Sequence, residues 1–477
     1  MMMNMRKQIT GRARRAMVVG AAACGLLAIP GCNLKDTLLE PQQPGLIKPG
    51  DLNSATGAEA VRTGTLERLQ RLTGGGNNNQ ENIWLLSGLF TDEFKSSDTF
   101  SQRNETDQRS IQTNNAQIQS EYTVAQQVRG FARDAIKFLA EFVPSVPAEQ
   151  GQMWLAMGFA ELQLSENFCN GVPFGITDGA TPTYTQPVTN AEGFRIAISH
   201  FDSALALASG ADTLSVAIRR AAQVAKARAM VDLGDWQNAA AIVSATNVPT
   251  SYQYLIAFSQ ASGTDNEWWV MTTSTPRYTV GDSVDLISGQ VNRIFNAIPF
   301  ASIKDPRVPN TGNSVDASAS AKKGFDGQTV FVGQNIWNRD DPLPLVSGID
   351  ARLIEAEAQL QAGNFAGMMT TLNTLRTTAQ TIGVFKPAVM APLAATPATT
   401  AEAADIFFRE KAFWTFSRGQ RLGDLRRLVR QYGRAQNTVF PSGAFFKNGN
   451  YGSDVNFPVT DNEKSNPNFV GCLDRNA

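Results

Sequence analysis

The chain has 477 residues, of which 18% are charged, and its formal net charge is −1. Its 42 Lys and Arg residues form no basic stripe, which argues against nucleic acid as a partner, because phosphate binding needs clustered positive charge. The single histidine, His200, argues against Ser-His-Asp triads and histidine-rich zinc sites, and the sequence contains no nucleotide-binding or calcium-loop motif.

The N-terminal residues predict a bacterial lipoprotein signal. A positively charged stretch from Arg6 to Arg15 precedes an apolar run, Ala16 to Ile29, that is too short to span a bilayer. Cys32 follows at the position of a lipid-acceptor cysteine. We therefore expect residues 1–31 to be a signal peptide, Cys32 to carry acyl chains, and residues 32–57 to form a flexible, proline-containing tether.

A plain signal peptide is the alternative, and Cys24 is a weaker rival as the acceptor. Removal of residues 1–31 takes away five basic residues and no acidic residue, so the mature chain has a net charge of about −6. An acidic body gains nothing from anionic lipid, so the acyl chains would carry the attachment to the membrane.

Cys169 and Cys472 are then the two cysteines left in the body of the protein. Two cysteines in an oxidising compartment can pair, and we expect a Cys169–Cys472 disulfide. Two separate buried thiols are the alternative.

Helical periodicity dominates residues 58–477, which we expect to form a single, mostly α-helical domain. In each predicted helix, apolar residues recur at intervals of three or four positions. The segments in the first half of the chain are Ala58–Leu72, Ile83–Phe90, Val124–Phe142, Met153–Leu164, Ala191–Ala208, Val216–Leu233 and Trp236–Thr246.

Two units of helix, tight turn and helix look like tetratricopeptide hairpins. The first lies near residues 191–246, with its turn at Gly234. The second lies near residues 350–376, with its turn at Gly363. The two turns are too far apart in the sequence for one continuous repeat array.

Residues 250–345 break the helical rhythm, and we expect a loop-rich insertion with a few short strands. Glu267–Met271 and Gly324–Val332 are short and prone to form strands, and we expect them to be small strands or loop ribbons. Residues 387–404, rich in Ala, Pro and Thr, predict a low-complexity surface loop.

Phe408–Arg427 combines an apolar helix face with charged residues. Arg421, Asp424 and Arg427 follow one another at intervals of three, which favours ion pairing on a helix. We expect these charges to stabilise the fold, and arginines that bind a ligand are the alternative.

Several blocks occur in the order seen in one family. They are Leu86–Phe94, Glu166–Pro173, Leu353–Ala358, Phe408–Arg427, Phe457–Val459 and Asn466–Asn468. Together they resemble the SusD/RagB-like outer-membrane nutrient-uptake lipoproteins. The chain departs from the family pattern at Phe416–Arg418, where many members have a Glu before a Gly-x-Arg segment. A charge pair assumed from the family is therefore not expected at that place.

The resemblance implies a SusD-like helical body and a role in nutrient capture. Such a protein is a lid that binds an oligosaccharide or similar nutrient and passes it to a TonB-dependent, SusC-like outer-membrane transporter. It would be a binder rather than an enzyme, without metal or cofactor, anchored by lipid in the outer membrane and facing the cell exterior.

Sugars stack on exposed aromatic rings, so the candidate ligand-binding residues are aromatic residues in predicted loops. These candidates are Phe100, Phe325, Phe331 and Trp337. Two other functions stay open: a tetratricopeptide-like envelope scaffold, and an α/α-barrel glycoside hydrolase, which needs only two carboxylates.

Overall fold

Helices provide most of the regular structure in the computed structural model, which describes residues 52–76, 81–178, 181–287 and 289–477. In chain order they are α1 (Ala55–Gly74), α2 (Ile83–Phe90), α3 (Ser101–Asp107), α4 (Ala116–Phe142), α5 (Pro147–Asn167), α6 (Asn190–Leu207), α7 (Thr213–Asp232), α8 (Trp236–Ile242), α9 (Glu267–Trp269), α10 (Gly348–Gln361), α11 (Phe365–Thr377), α12 (Thr400–Trp414) and α13 (Arg421–Arg430). The signal peptide, Cys32 and most of the tether lie outside the described residues.

The strands of the described residues are short and form antiparallel pairs. The pairs are β1 (Phe94–Ser96) with β7 (Tyr278–Val280), β2 (Val172–Pro173) with β5 (Pro187–Val188), β3 (Ile176–Asp178) with β4 (Thr181–Thr183), β6 (Gln253–Ile256) with β10 (Leu343–Ser347), and β8 (Val284–Ile287) with β9 (Gln290–Arg293). The predicted fold class, a mostly α-helical body with a few short strands, is confirmed.

Local sequence explains where several helices begin. Capping boxes start α6 with Thr189 and Glu192, and α12 with Thr399 and Glu402. In each box, the threonine side chain accepts from the backbone N–H of the glutamate, and the glutamate side chain accepts from the backbone N–H of the threonine. These two bonds fix the first turn of the helix. Pro147 stands at the start of α5, where a missing N–H costs nothing.

The helices pack in a continuous path from α1 through α4, α5, α6, α7, α8 and α10 to α11. The centre of this path is α5, which is buried along most of its length. Gly158 lets α6 approach closely, because a Cβ at that position would press against the Phe201 ring and the Ala197 carbonyl oxygen. Small residues at such contacts explain why α5 and α6 lie so near each other.

Both predicted hairpins are present, as α7 with α8 and as α10 with α11. Their turns use Gly234 and Gly363, whose φ angles of 82° and 72° lie in the region that other residues disfavour. The hairpins also touch each other, because α8 packs on α10. The two units are therefore neighbours in space although they are far apart in sequence.

Two local predictions are wrong, the one for Glu267–Met271 and the end of the loop at residues 387–404. Glu267–Met271 is helical rather than a strand or loop, because Asn266 caps α9 and a π-helical turn, Val270–Ser274, continues it. Gly324–Val332 is a loop, one of the two forms expected for it, and takes part in an isolated bridge through Val330. The loop predicted for residues 387–404 stops at Thr399, where the capping box starts α12.

The C-terminal segment is fastened to the end of α5. Cys169 and Cys472 form a disulfide with a Cα–Cα distance of 5.8 Å. Beside it, the Leu473 N–H donates to the Asn170 carbonyl oxygen at 2.8 Å, and the Asn170 amide reaches Asp474 at 3.0 Å. Within the described ranges, no helix is both long enough and apolar enough to cross a membrane.

Candidate functional site

Phe100 and Phe325, two of the predicted binding residues, meet around one arginine. Their side chains are 46% and 47% exposed. The guanidinium carbon of Arg277 lies 3.7 Å from the centroid of the Phe325 ring and 5.3 Å from that of Phe100. We call Phe100, Arg277 and Phe325 the aromatic patch.

Strand pairing brings the parts of this patch together. The β1–β7 pair places Ser96 opposite Tyr278, and the next bond runs from the Ser97 N–H to the Arg277 carbonyl oxygen at 2.7 Å. The Phe325 N–H donates to the Pro276 carbonyl oxygen at 2.8 Å. Three distant segments therefore share one hydrogen-bonded frame.

A glycine allows the Phe325 loop to lie on this frame. A Cβ at Gly324 would overlap the Ser97 side chain, so only glycine fits. One residue beyond Phe325, the Asp326 N–H donates to the Ser97 carbonyl oxygen at 3.0 Å. The loop is thus held on both sides of the exposed ring.

Charged groups fix the base of the patch. Both Asp98 carboxylate oxygens accept from Arg277 Nη1 at 2.9 Å, and Arg103 pairs with the same carboxylate. Burial alone would raise the pKa of Asp98, but the two arginines lower it overall. Lys447 adds a contact to Asp326 at 2.9 Å and to Asn104 at 3.0 Å. Asp98 is therefore held as a carboxylate that orients the Arg277 guanidinium.

This arrangement suits binding rather than chemistry. The exposed ring faces of Phe100 and Phe325 can stack on the apolar faces of sugar units. Arg277 also places a guanidinium, which can donate hydrogen bonds to hydroxyl oxygens, beside both rings.

The structure contradicts the prediction for the other two aromatic candidates, Phe331 and Trp337. Only 5% of Phe331 and 2% of Trp337 is exposed. Lys322 Nζ lies 4.5 Å from the Phe331 ring centroid, and the Trp337 indole N–H donates to Ser417 Oγ at 2.8 Å. Neither ring has a free face, because segments distant in sequence cover both of them.

Sequence reasoning missed Arg277. Its neighbour Tyr278 has an aromatic ring, but that ring is fully buried. The local sequence around Arg277 contains no sign that its side chain would reach two phenylalanines. Only the pairing of β1 with β7 reveals this contact.

His200 contacts a buried acid, Glu161, and an aromatic ring. His200 Nδ1 lies 2.5 Å from Glu161 Oε2, and its ring lies 5.1 Å from that of Trp154. Glu161 is buried and also accepts from Arg129 Nε at 3.0 Å. In the part of the chain that the structure describes, no group of three or more His, Cys, Asp or Glu residues could hold a metal ion.

Arg421, Asp424 and Arg427, the three charged residues at intervals of three, are buried and paired. Asp424 binds Lys411 Nζ at 2.6 Å and Arg427 Nη2 at 2.7 Å, while Arg421 binds Asp92 at 2.7 Å. The prediction that these residues stabilise the fold is confirmed. Because their side chains are almost completely covered, they are not a surface for a ligand.

Arg418, in the segment where the sequence departs from the family pattern, forms an ion pair of its own. Arg418 Nη2 donates to Asp350 Oδ1 at 2.6 Å, and Asp350 also completes the capping box of α10 with Ser347. A residue of the turn between α12 and α13 is thereby linked to the first turn of α10.

No protein-family model and no curated protein matches the chain. Solved structures do resemble it. A SusD superfamily protein from Bacteroides vulgatus is 14% identical with a TM-score of 0.57, and the match covers 88% of this chain and 99% of the other. A SusD-like carbohydrate-binding protein from Bacteroides fragilis is 13% identical, with the same coverage and a TM-score of 0.60.

A laminarin-binding SusD-like protein is 12% identical and has a TM-score of 0.54, over 88% of this chain and 99% of the other. The TM-scores show a common fold, whereas sequence identities this low leave the ligands undetermined. The blocks in the sequence and the path of the helices therefore lead to one conclusion: this chain has the SusD-like fold.

Proposed function

We propose that the protein is a non-catalytic binder that captures an oligosaccharide on the aromatic patch. The observation that carries this proposal is the meeting of two half-exposed rings, Phe100 and Phe325, around Arg277. Structures of the same fold described as carbohydrate-binding and laminarin-binding support it.

The geometry favours a ligand with both apolar faces and hydroxyl groups. A sugar ring has C–H groups on its faces and hydroxyls at its edge, so stacking and hydrogen bonding occur together. Asp98 already fixes the Arg277 guanidinium, and backbone bonds fix the Phe325 loop. Little conformational entropy is then lost when the ligand binds, which favours affinity.

Binding of a neutral glycan panel, including laminarin, tests this proposal by calorimetry. The double variant Phe100→Ala/Phe325→Ala should bind its best glycan about tenfold or more weakly, because two stacking contacts are lost. Phe131→Ala is the matched control, since Phe131 is 37% exposed and also has an arginine, Arg68, 3.6 Å from its ring centroid.

Unchanged affinity in the double variant, or an equal loss in Phe131→Ala, would contradict a binding role for the patch. Chromatography of the glycan after long incubation checks the absence of catalysis. Release of shorter sugars would show that the protein is an enzyme.

The proposal extends to the place where the protein works. Residues 1–31 and Cys32 support anchoring by lipid in the outer membrane, with the body facing the cell exterior. In that position the bound nutrient would pass to a TonB-dependent, SusC-like transporter, as the resemblance to the SusD/RagB-like lipoproteins implies. The SusD-like fold supports this partnership.

A further inference from the structure

A surface depression with a volume of about 650 Å³ lies between β9, α12 and the segment that follows α13. Its charged lining consists of Arg293, Asp405, Arg409, Arg421 and Arg434, which we call the basic groove. We propose that the basic groove binds an anionic sugar, one that carries a carboxylate or a sulfate group.

The charges in the groove do not balance. Arg421 is neutralised by Asp92, and Arg434 Nη1 lies 2.5 Å from Asp405 Oδ1. Arg293 and Arg409 form no ion pair within the described residues, and both side chains are exposed. The groove therefore has two uncompensated positive charges in a chain whose net charge is negative.

Both free arginines are held close to aromatic rings. The guanidinium carbon of Arg293 lies 5.5 Å from the Phe295 ring centroid, and that of Arg409 lies 5.6 Å from the centroid of Phe413. A cation near an aromatic ring is weakly attracted to it, which restricts the rotamers of the long side chain. The donors of the guanidinium groups remain available to a ligand.

The frame of the groove is rigid. Phe295 and Ser442 exchange two backbone hydrogen bonds, at 3.0 and 3.1 Å, which fixes the chain directly after Arg293. On the floor, Asp92 accepts from Arg421 and from the Ile298 N–H at 2.7 Å. These bonds fix the backbone next to Arg293 and the side chain of Arg421.

Guanidinium groups recognise carboxylate and sulfate through paired hydrogen bonds, which a neutral sugar does not require. Buried apolar side chains, among them Phe408, Ile298 and Leu425, line the rest of the groove. They give the groove an apolar surface beside its charged groups. A ligand with both an anionic group and apolar C–H faces matches this combination.

The basic groove and the aromatic patch share no residue. The choice of a sugar as ligand rests on the proposed function, whereas the preference for an anion rests on the unpaired arginines. The two sites can be tested independently for this reason.

Calorimetry with three probes tests the proposal: trigalacturonate for carboxylate, a chondroitin sulfate tetrasaccharide for sulfate together with carboxylate, and polyglutamate for an acidic protein segment. At least one anionic sugar should bind, with affinity that falls as salt rises. Arg293→Gln/Arg409→Gln should weaken that binding about tenfold or more, because charge-assisted hydrogen bonds are lost. Arg195→Gln, at an exposed arginine on α6, is the matched control.

Phe100→Ala/Phe325→Ala should bind the anionic sugar with unchanged affinity. Loss of neutral-glycan binding at the aromatic patch would then be distinguishable from loss of anion binding at the basic groove. Equal thermal melting of all variants checks folding. The proposal is overturned if neither anionic sugar binds, or if the arginine variant binds as tightly as the unaltered protein. Binding of polyglutamate alone would also overturn it, since the groove would then fit a protein partner.

Discussion

At the scale of residues, Arg277 contacts two half-exposed rings, whereas the two rings beside Arg109 and the two beside Arg307 are buried. Arg68 lies over the single ring of Phe131, whereas Arg277 contacts both Phe100 and Phe325. Asp98 binds both Arg103 and Arg277, so its carboxylate is shared. The result is a small surface with two apolar faces and a fixed donor between them.

Glu93 is a buried acid without an ionic partner of its own. Its neighbour Asp92 takes Arg421, while Glu93 Oε1 accepts only the Ser417 N–H at 3.1 Å and Oε2 has no partner in the described structure. Burial, and then repulsion by Asp92, raise the pKa of Glu93 to about 8. The folded protein therefore holds a proton on Glu93 at neutral pH.

Glu93→Gln should reduce the pH dependence of stability. The unfolded chain releases the proton near pH 4.5 and the folded chain near pH 8, so wild-type stability falls as pH rises across this interval. Glutamine keeps the acceptor for Ser417 and cannot ionise. Relative to wild type, the variant should gain roughly 2–4 kcal/mol in the free energy of unfolding between pH 5 and pH 8.

Denaturant unfolding at several pH values measures this difference, with Glu67→Gln on the exposed face of α1 as the control. Parallel pH profiles for wild type and Glu93→Gln would show that Glu93 ionises normally in the fold.

At the scale of elements, α13 buries Leu422 and Leu425 in the core and is joined to three neighbouring segments by ion pairs. Arg421 reaches Asp92 after α2, Asp424 reaches Lys411 on α12, and Arg427 reaches Glu357 on α10. Replacement of such pairs by apolar residues is often neutral, but loss of one partner costs about 3–5 kcal/mol. The short helix is therefore held in one orientation by three separate elements.

The disulfide between Cys169 and Cys472 connects the end of α5 to the C-terminal segment. Cys169 and Cys472 are separated by 303 residues, so the bond closes most of the body into one loop. In the chain-entropy description such a long loop stabilises the folded state, and Cys169→Ala/Cys472→Ala should lower the free energy of unfolding by about 2–5 kcal/mol.

Peptide mass spectrometry after alkylation in denaturant checks the bond directly. Both cysteines should resist alkylation without a reductant and react after reduction. Alkylation of both in the unreduced protein would leave two separate thiols as the correct interpretation.

At the scale of the whole molecule, an acidic body has two surfaces suited to ligands, the aromatic patch and the basic groove. If Cys32 is acylated as proposed, attachment to a membrane would depend on that cysteine, because a negatively charged body is repelled by anionic lipid. Such an anchor would keep both surfaces near the membrane.

Metabolic labelling with a fatty acid tests the anchor. Cys32→Ser should abolish the label and release the protein from membranes, whereas Cys24→Ser should keep both, because Cys24 would leave with the signal peptide. A label that survives in Cys32→Ser would contradict the assignment. In mild detergent the wild-type protein should co-purify with a TonB-dependent transporter, and isolation with periplasmic partners alone would argue against that partner.

The mostly helical body, both hairpins and the resemblance to the SusD/RagB-like lipoproteins could be predicted from the amino-acid sequence. These depend on periodicity, capping and turn residues, which act over a few positions. Glu267–Met271 shows the limit of local patterns, since five residues are too few to separate a strand from a helix whose first turn Asn266 caps.

Which aromatic residues reach solvent depends on tertiary packing. Phe100 and Phe325 are exposed and Trp337 is not, because Ser417 and other distant residues cover the indole. The basic groove likewise joins Arg293 to Arg409 across more than a hundred residues. Exposure and charge balance are properties of surfaces built from several segments, and they are fixed only when those segments meet.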